Sequence, residues 1–164
     1  MKTLYLMRHA KSSWKQLELN DLDRPLLEKG LKRTRIIITQ LQERKAIIDF
    51  IISSHAVRAA ETAAIIAHAF HVDENNIRTE KKIYSSDSDN FLDIFFDLPV
   101  KVSHVMMVGH NPAITNFANN YLENKIDYLP TSGVVAITFD TDQWENLPEA
   151  SYKVEYIIFP KMFQ

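Results

Sequence analysis

The stretch "LYLMRHAKSS" (residues 4–13) joins a short apolar run to an adjacent arginine and histidine. The run predicts a buried strand over residues 3–7, because it is short and apolar on both faces. Arg8 and His9 stand where that strand ends. They are either a surface charge and a half-exposed imidazole, or two side chains that the strand delivers to a site. The rest of the sequence decides between these two interpretations.

Further along the chain, apolar strands alternate with helices. This alternation predicts a three-layer α/β/α architecture with a mostly parallel central sheet, in a single domain over residues 1–164. In such a sheet the ligand site lies at the carboxyl ends of the strands, so the residues that follow each strand are considered together. The later strands are predicted near 49–53, 77–84, 104–108, 133–140 and 152–159, and the helices near 26–44, 53–70, 85–99 and 109–123.

The composition narrows the classes of function. The net charge of −2 provides no basic field for nucleic acid or anionic membranes. The N-terminal apolar run is too short for a signal peptide, and no stretch has the ~20 apolar residues of a membrane span. Cysteine is absent, which excludes disulfides and fits a cytoplasmic protein. Neither GxGxxG nor GxxxxGK[ST] occurs, so a phosphate site here would use side chains and helix N-termini.

Arginine and histidine side chains follow three apolar strands. Arginine forks match phosphate oxygens bidentately, and helices that begin directly after the strands direct free N–H groups toward the same anion. The three strand ends together therefore predict a phosphate-binding site. The residues concerned are Arg8 and His9 after the first strand, Ser53, Ser54, His55 and Arg58 after the second, and Gly109, His110 and Asn111 after the strand at 104–108.

Within such a site, His9 has the properties of a nucleophile toward phosphorus. A reference pKa of about 6.5 keeps most of the imidazole neutral at pH 7, and nearby arginines lower that pKa further. Arg8, Arg58 and His110 would then stabilise the equatorial phosphoryl oxygens. A metal site and a serine nucleophile are weaker alternatives, because the sequence has neither HExxH nor GxSxG. We therefore expect no metal and no cofactor.

Taken in order along the chain, these motifs resemble those of the histidine phosphatase superfamily, which has the phosphoglycerate mutase-like fold. The family's opening strand with Arg-His-Gly is similar to "LMRHAKSSW" (6–14), and its D-x-P-L-T-x-x-G phrase to "DRPLLEKG" (23–30). Two further blocks are similar to "SHAVRAAETA" (54–63) and "VGHNP" (108–112). The short chain, the "RHAKS" opening and the phrase "TSGVVAI" (131–137) most resemble the small SixA-type phosphohistidine phosphatases.

The resemblance implies a role for each matching residue. His9 is similar to the nucleophile that becomes phosphohistidine. Arg8, Arg58 and His110 are similar to the rest of the phosphate pocket, and Ser12 is a further candidate for binding phosphate.

The chain also departs from the family at several positions. Ala10 stands where the family has glycine, and Lys15 where an asparagine often helps to hold phosphate. Asn111 stands where the acid-phosphatase branch has aspartate, which argues against that branch. Many members carry a glutamate as proton donor, for which Glu80 is the first candidate here and Asp87 the next.

The leaving group links the proton donor to the substrate. A phosphomonoester expels an alkoxide and gains about 10²–10⁴-fold from a positioned acid, whereas phosphohistidine expels imidazole, a better leaving group. We therefore expect a metal-independent phosphatase that removes phosphate from phosphohistidine on a signalling or phosphotransfer protein, with a pocket that also binds phosphate or sulfate. A small-molecule phosphomonoesterase of the same superfamily and a non-catalytic phosphate- or phosphopeptide-binding module are the alternatives.

Overall fold

A six-stranded sheet forms the centre of the protein in the computed structural model, which describes residues 1–14, 20–84 and 87–164. The strands are β1 (Lys2–Arg8), β2 (Phe50–Ser53), β3 (Ile77–Thr79), β4 (His104–Gly109), β5 (Val134–Phe139) and β6 (Tyr152–Ile158). Their order in the sheet is β3-β2-β4-β1-β5-β6. The pairs β2–β3, β2–β4 and β1–β4 are parallel, and β5 is antiparallel to both of its neighbours. The predicted mostly parallel sheet is confirmed.

Helices cover both faces of this sheet. They are α1 (Glu28–Glu43), α2 (Val57–Phe70), α3 (Phe91–Phe95) and α4 (Ala113–Asn119). Side chains of β1 alternate between two cores: Tyr5 and Met7 pack with α1 and α2, whereas Leu4 and Leu6 pack with α3 and α4. The predicted three-layer α/β/α architecture is therefore confirmed. No helix in the described ranges is long and apolar enough to cross a membrane.

The segment that leaves β1 is held by the start of α1. The backbone N–H of Leu27 donates to the carbonyl oxygen of Lys11 at 2.9 Å, and that of Ser13 donates to Pro25 at 2.8 Å. Gly30 then packs directly on this segment, because a Cβ atom at that position would lie 2.4 Å from the carbonyl oxygen of Lys11. The glycine of "DRPLLEKG" thus allows the close approach that positions the residues after His9.

We predict that Gly30→Ala destabilises the fold by about 1–3 kcal/mol, because the added methyl group meets rigid backbone atoms. The sign of this change in the free energy of unfolding is informative, because replacing glycine by alanine in a helix normally stabilises a protein by roughly 0.5–1 kcal/mol. Urea unfolding monitored by circular dichroism measures the change. Lys29→Ala, at an exposed position in the same turn, is the matched control. A Gly30→Ala protein as stable as this control would contradict the packing argument.

Candidate active site

The carboxyl ends of β2, β4 and β1 meet at one edge of the sheet, and the residues that follow them line a cleft of about 600 Å³. Backbone bonds tie these ends together: the N–H of His9 donates to Gly109 at 3.0 Å, and that of Ser54 donates to Val108 at 3.1 Å. The structure thus brings together the four residues that the strand ends predict, which are Arg8, His9, Arg58 and His110.

His9 is buried, with 6% of its surface exposed, and it is held in one tautomer. Its Nδ1 lies 2.7 Å from the carbonyl oxygen of Ala10, which can only accept, so Nδ1 carries the proton. Nε2 therefore keeps its lone pair, and Nε of Arg58 donates to it at 3.3 Å. Burial lowers the pKa of His9 to about 3, the bond to Ala10 opposes this, and His110 and the arginines lower the pKa further. The imidazole is neutral at pH 7.

His110 is equally buried and its ring centroid lies 5.1 Å from that of His9. Its Nε2 is 2.7 Å from Oγ of Ser54, which itself accepts the N–H of Ala56 at 3.2 Å. When the hydroxyl donates to Nε2, the imidazole proton lies on Nδ1, which is buried and has no hydrogen-bond partner among the described residues. Burial and then Arg58 lower the pKa of His110 to about 4. A neutral N–H donor thus lies beside His9.

Arg58 is positioned by Asp21. Its Nη1 donates to the Asp21 carbonyl oxygen at 2.6 Å, and its Nη2 donates to Oδ2 of the same residue at 2.9 Å. Arg24 contacts Oδ1 at 2.9 Å, and the hydroxyl of Tyr84 donates to Oδ2. Burial alone would raise the pKa of Asp21, but the bonds from Tyr84, Arg58 and Arg24 outweigh it and lower the pKa to about 2. Asp21 is therefore an ionised carboxylate that orients an arginine.

The cleft has an excess of positive charge. Asp21 is the one carboxylate among the described residues that line it, against five cationic side chains. Arg8 donates to the carbonyl oxygen of Leu129 at 3.3 Å, while its Nε is buried and has no hydrogen-bond partner in the described ranges. Buried donors without acceptors are costly, so this arrangement suits an anion with several oxygens. The cationic residues are Arg8, Lys11, Arg24, Arg33 and Arg58.

Ser12 and Asn111 also line the cleft, and each supports a neighbouring group. The Ser12 hydroxyl accepts from Nη1 of Arg24 at 3.0 Å, so it holds that arginine in place. The Asn111 side chain donates to the Leu129 carbonyl oxygen at 3.0 Å and thereby fixes the segment that Arg8 also contacts.

The two carboxylates considered as proton donors do not line this cleft. Oε1 of Glu80 accepts the N–H of Lys82 at 3.3 Å within its own turn. Asp87 is exposed, and its Oδ1 accepts the N–H of Asp89 at 2.8 Å. The structure thus does not bring Glu80 together with the four pocket residues, because it follows the edge strand β3 rather than the central strands. Lys15 lies outside the described residues.

Sequence reasoning missed Asp21, Arg24 and Tyr84. A signal for Arg24 existed, because this cation lies inside the block "DRPLLEKG", which is similar to a motif of the family. Asp21 stands two residues before that block, in a polar segment with no periodicity. Within the described ranges, no cluster of three or more histidine, aspartate or glutamate side chains could hold a metal ion.

The fold and the cleft define an α/β protein whose sheet edge carries an anion pocket of arginines around two neutral histidines. The sequence matches the model of the "Histidine phosphatase superfamily (branch 1)" over residues 4–83, which include three of the four pocket residues. Over these residues the chain is similar to the histidine phosphatase superfamily, and this likeness supports phosphatase activity.

Similar proteins extend this likeness over almost the whole chain. The uncharacterised protein ML1117 of Mycobacterium leprae (strain TN) is 27% identical over 153 residues, covering 86% of this chain and 91% of that protein. The structure of a candidate phosphohistidine phosphatase, SixA of Agrobacterium tumefaciens, is 27% identical with a TM-score of 0.76, covering 96% and 97% of the two chains. The protein histidine phosphatase SixA complexed with tungstate shares the fold, with a TM-score of 0.78, 17% identity and 99% coverage of each chain. The predicted phosphoglycerate mutase-like fold is thus confirmed.

We predict that the protein loses stability as the pH falls from about 6.5 toward 4. The unfolded chain takes up protons on its histidines near pH 6.5, whereas the folded-state pKa values of His9 and His110 are about 3 and about 4. Each imidazole then contributes a loss of roughly 1–2 kcal/mol between pH 6.5 and 5. Urea unfolding midpoints measured across this pH range give the slope of stability against pH.

His110→Asn is expected to flatten that slope, because one of the two buried titrating groups is removed. His68→Asn, at an exposed position on α2, removes a histidine without touching the cleft and is the control. Equal slopes for His110→Asn and His68→Asn would show that burial of His110 does not govern the acid sensitivity.

Proposed function

We propose that this protein removes phosphate from phosphohistidine on a signalling or phosphotransfer protein, through a phosphohistidine intermediate on His9. The observation that carries the proposal is the state of His9, which is a buried and neutral imidazole in an arginine-lined cleft. Its Nδ1 is hydrogen-bonded to the carbonyl oxygen of Ala10, so its Nε2 keeps the lone pair. A nucleophile needs a free electron pair and a fixed direction, and this geometry supports both.

In the first half-reaction, the Nε2 lone pair of His9 attacks phosphorus. The bond between phosphorus and the substrate nitrogen breaks, and its electron pair stays on that nitrogen. The other ring nitrogen of the substrate carries a proton, so the leaving group departs as neutral imidazole. Nε of Arg58, which donates to Nε2 at 3.3 Å in the free protein, transfers its hydrogen bond to a phosphoryl oxygen. Arg8 through Nε and His110 through Nδ1 donate to the other oxygens, because both atoms are buried without a protein partner in the described ranges. This role of His110 uses the tautomer in which the Ser54 hydroxyl donates to Nε2.

In the second half-reaction, a water oxygen attacks the phosphorus of phospho-His9 from the side opposite Nε2. The P–N bond breaks, its electron pair returns to Nε2, and the water proton passes to solvent or to the phosphate that leaves. The bond from Nδ1 to Ala10 keeps the imidazole in the same tautomer throughout. The arginines supply the positive charge that stabilises the transferred group, so the proposed mechanism uses neither a metal ion nor a cofactor.

The absence of an acidic proton donor from the described lining of the cleft supports phosphohistidine as the substrate. Asp21 is the one carboxylate of the described lining, and its pKa of about 2 keeps it ionised, so it does not protonate an alkoxide. A phosphohistidine whose second ring nitrogen is protonated expels neutral imidazole without such help. The likeness to structures described as phosphohistidine phosphatases of the SixA type agrees with this choice. A chain without cysteine also suits the reducing cytoplasm, which is the compartment we propose.

We predict that the protein hydrolyses a phosphohistidine protein faster than a phosphomonoester such as p-nitrophenyl phosphate, and does so in EDTA. His9→Ala should lower the rate by roughly 10³-fold or more, because no other residue replaces the nucleophile. Release of phosphate and acid-labile labelling of the protein by ³²P-phosphohistidine measure the two half-reactions.

The outcomes separate the alternatives. Turnover that EDTA abolishes would contradict the metal-independent mechanism, and turnover retained by His9→Ala would contradict the nucleophile. Faster hydrolysis of the phosphomonoester would favour the small-molecule phosphomonoesterase. Phosphate binding without turnover of either substrate would favour the non-catalytic binding module. His104→Ala, outside the cleft at the start of β4, is the matched histidine control.

Asp21→Asn is predicted to lower kcat by roughly 10- to 100-fold, because Arg58 loses the carboxylate that orients it. Inorganic phosphate should inhibit this variant more strongly than the parent, because the described lining loses its one negative charge. Glu80→Gln makes the same chemical change outside the cleft and should keep the parent kinetics with both substrates. A kcat loss in Glu80→Gln confined to the phosphomonoester would restore Glu80 as the proton donor.

A further inference from the structure

A second groove of about 650 Å³ continues from the cleft. The two cavities share part of their walls, so they form one trough across the surface. One wall of the groove comes from α1, a second from residues 125–131, and a third from residues 159–161 after β6. The shared residues are Arg33, Tyr128, Pro130 and Thr131.

Arg33 stands at the junction of the two cavities and has no ion-pair partner among the described residues. Its Nε is buried without a hydrogen-bond partner, and none of its guanidinium nitrogens has a bond or ion pair within the described ranges. Arg24 and Arg58, in the same trough, are both paired with Asp21. A half-buried guanidinium without a partner has lost part of its hydration, so a carboxylate or phosphate oxygen would interact with it strongly.

The groove beyond Arg33 is basic and partly apolar. Among the described residues that line it, Lys125 and Lys161 stand beside one acidic side chain, Asp127, and beside the C-terminal residue Gln164. Apolar surface comes from Phe159 and from Tyr128, which is 62% exposed at the edge shared with the cleft. A basic groove with an exposed aromatic ring suits an extended chain segment that carries acidic and apolar side chains.

We propose that this groove binds an acidic segment of the phosphorylated protein substrate, and that Arg33 pairs with a carboxylate close in sequence to the phosphorylated histidine. This inference rests on the proposed function and specifies its substrate. Each cavity has the size of a complete small-molecule site, so a single phosphorylated metabolite would leave one of them unused. Because Arg33 lines both cavities, a carboxylate within a few residues of the phosphohistidine reaches it along an extended chain.

Two phosphohistidine peptides that differ only in their flanking residues test the proposal. One carries glutamates around the phosphorylated histidine, and the other carries glutamines at the same positions. The parent should show a kcat/KM about tenfold higher for the glutamate peptide, and this preference should shrink between 50 and 500 mM salt. Arg33→Gln should remove most of the preference, and Lys161→Gln should remove part of it.

Arg35→Gln is the matched control, because Arg35 is an exposed arginine of the same helix that does not line the groove. It should keep the preference of the parent. Equal kcat/KM values for both peptides in the parent would overturn the proposal. A preference that survives in both Arg33→Gln and Lys161→Gln would overturn it as well.

Binding to the His9→Ala protein separates this inference from the proposed function. A lower Kd for the glutamate peptide, lost when Arg33→Gln is added, supports the groove even if the parent hydrolyses neither peptide. In that case the proposed function fails and the acidic binding site stands. Rapid hydrolysis of both peptides without any difference in Kd has the opposite meaning: the proposed function holds and the groove has no acidic partner.

Discussion

The hydrogen bond from Nδ1 of His9 to the carbonyl oxygen of Ala10 is the interaction on which the cleft depends. At 2.7 Å it fixes the imidazole proton on Nδ1 and leaves the Nε2 electron pair toward Arg58. Burial then keeps the ring neutral. A charged imidazole in the same place would be repelled by Arg8 and Arg58, and it would have no electron pair to offer. One backbone carbonyl thereby allows a base and its cationic surroundings to coexist.

The cleft also needs an excess of positive charge that does not prevent folding, so its buried arginines need a carboxylate partner. Asp21 compensates Arg58 and Arg24, which are buried, and it orients the guanidinium of Arg58 through two oxygens. Arg8 and Arg33 have no carboxylate partner in the described part of the chain. The balance leaves a net positive charge at the sheet edge, which suits an anion. The packing of α1 holds the segment that follows His9.

The four pocket residues Arg8, His9, Arg58 and His110 could be predicted because each follows a strand of strong apolar character, and parallel strands end at one edge. Glu80, the candidate proton donor, lies outside the cleft for a physical reason. It follows β3, which is the edge strand and is separated from β1 by β2 and β4. A residue after an edge strand lies away from the centre of the sheet, and periodicity predicts strands without predicting their order.

The sequence by itself determined the alternation of strands and helices, the layer architecture and the residues at the strand ends, because these depend on local periodicity and on the rules of parallel sheets. Only the tertiary structure decided what surrounds those residues. Asp21 reaches Arg58 across 37 positions and Tyr84 across 63, through connections without periodic pattern. The groove likewise joins Arg33 of α1 to Tyr128 and Lys161. Such contacts depend on the paths of the loops, and nothing in a local pattern encodes those paths.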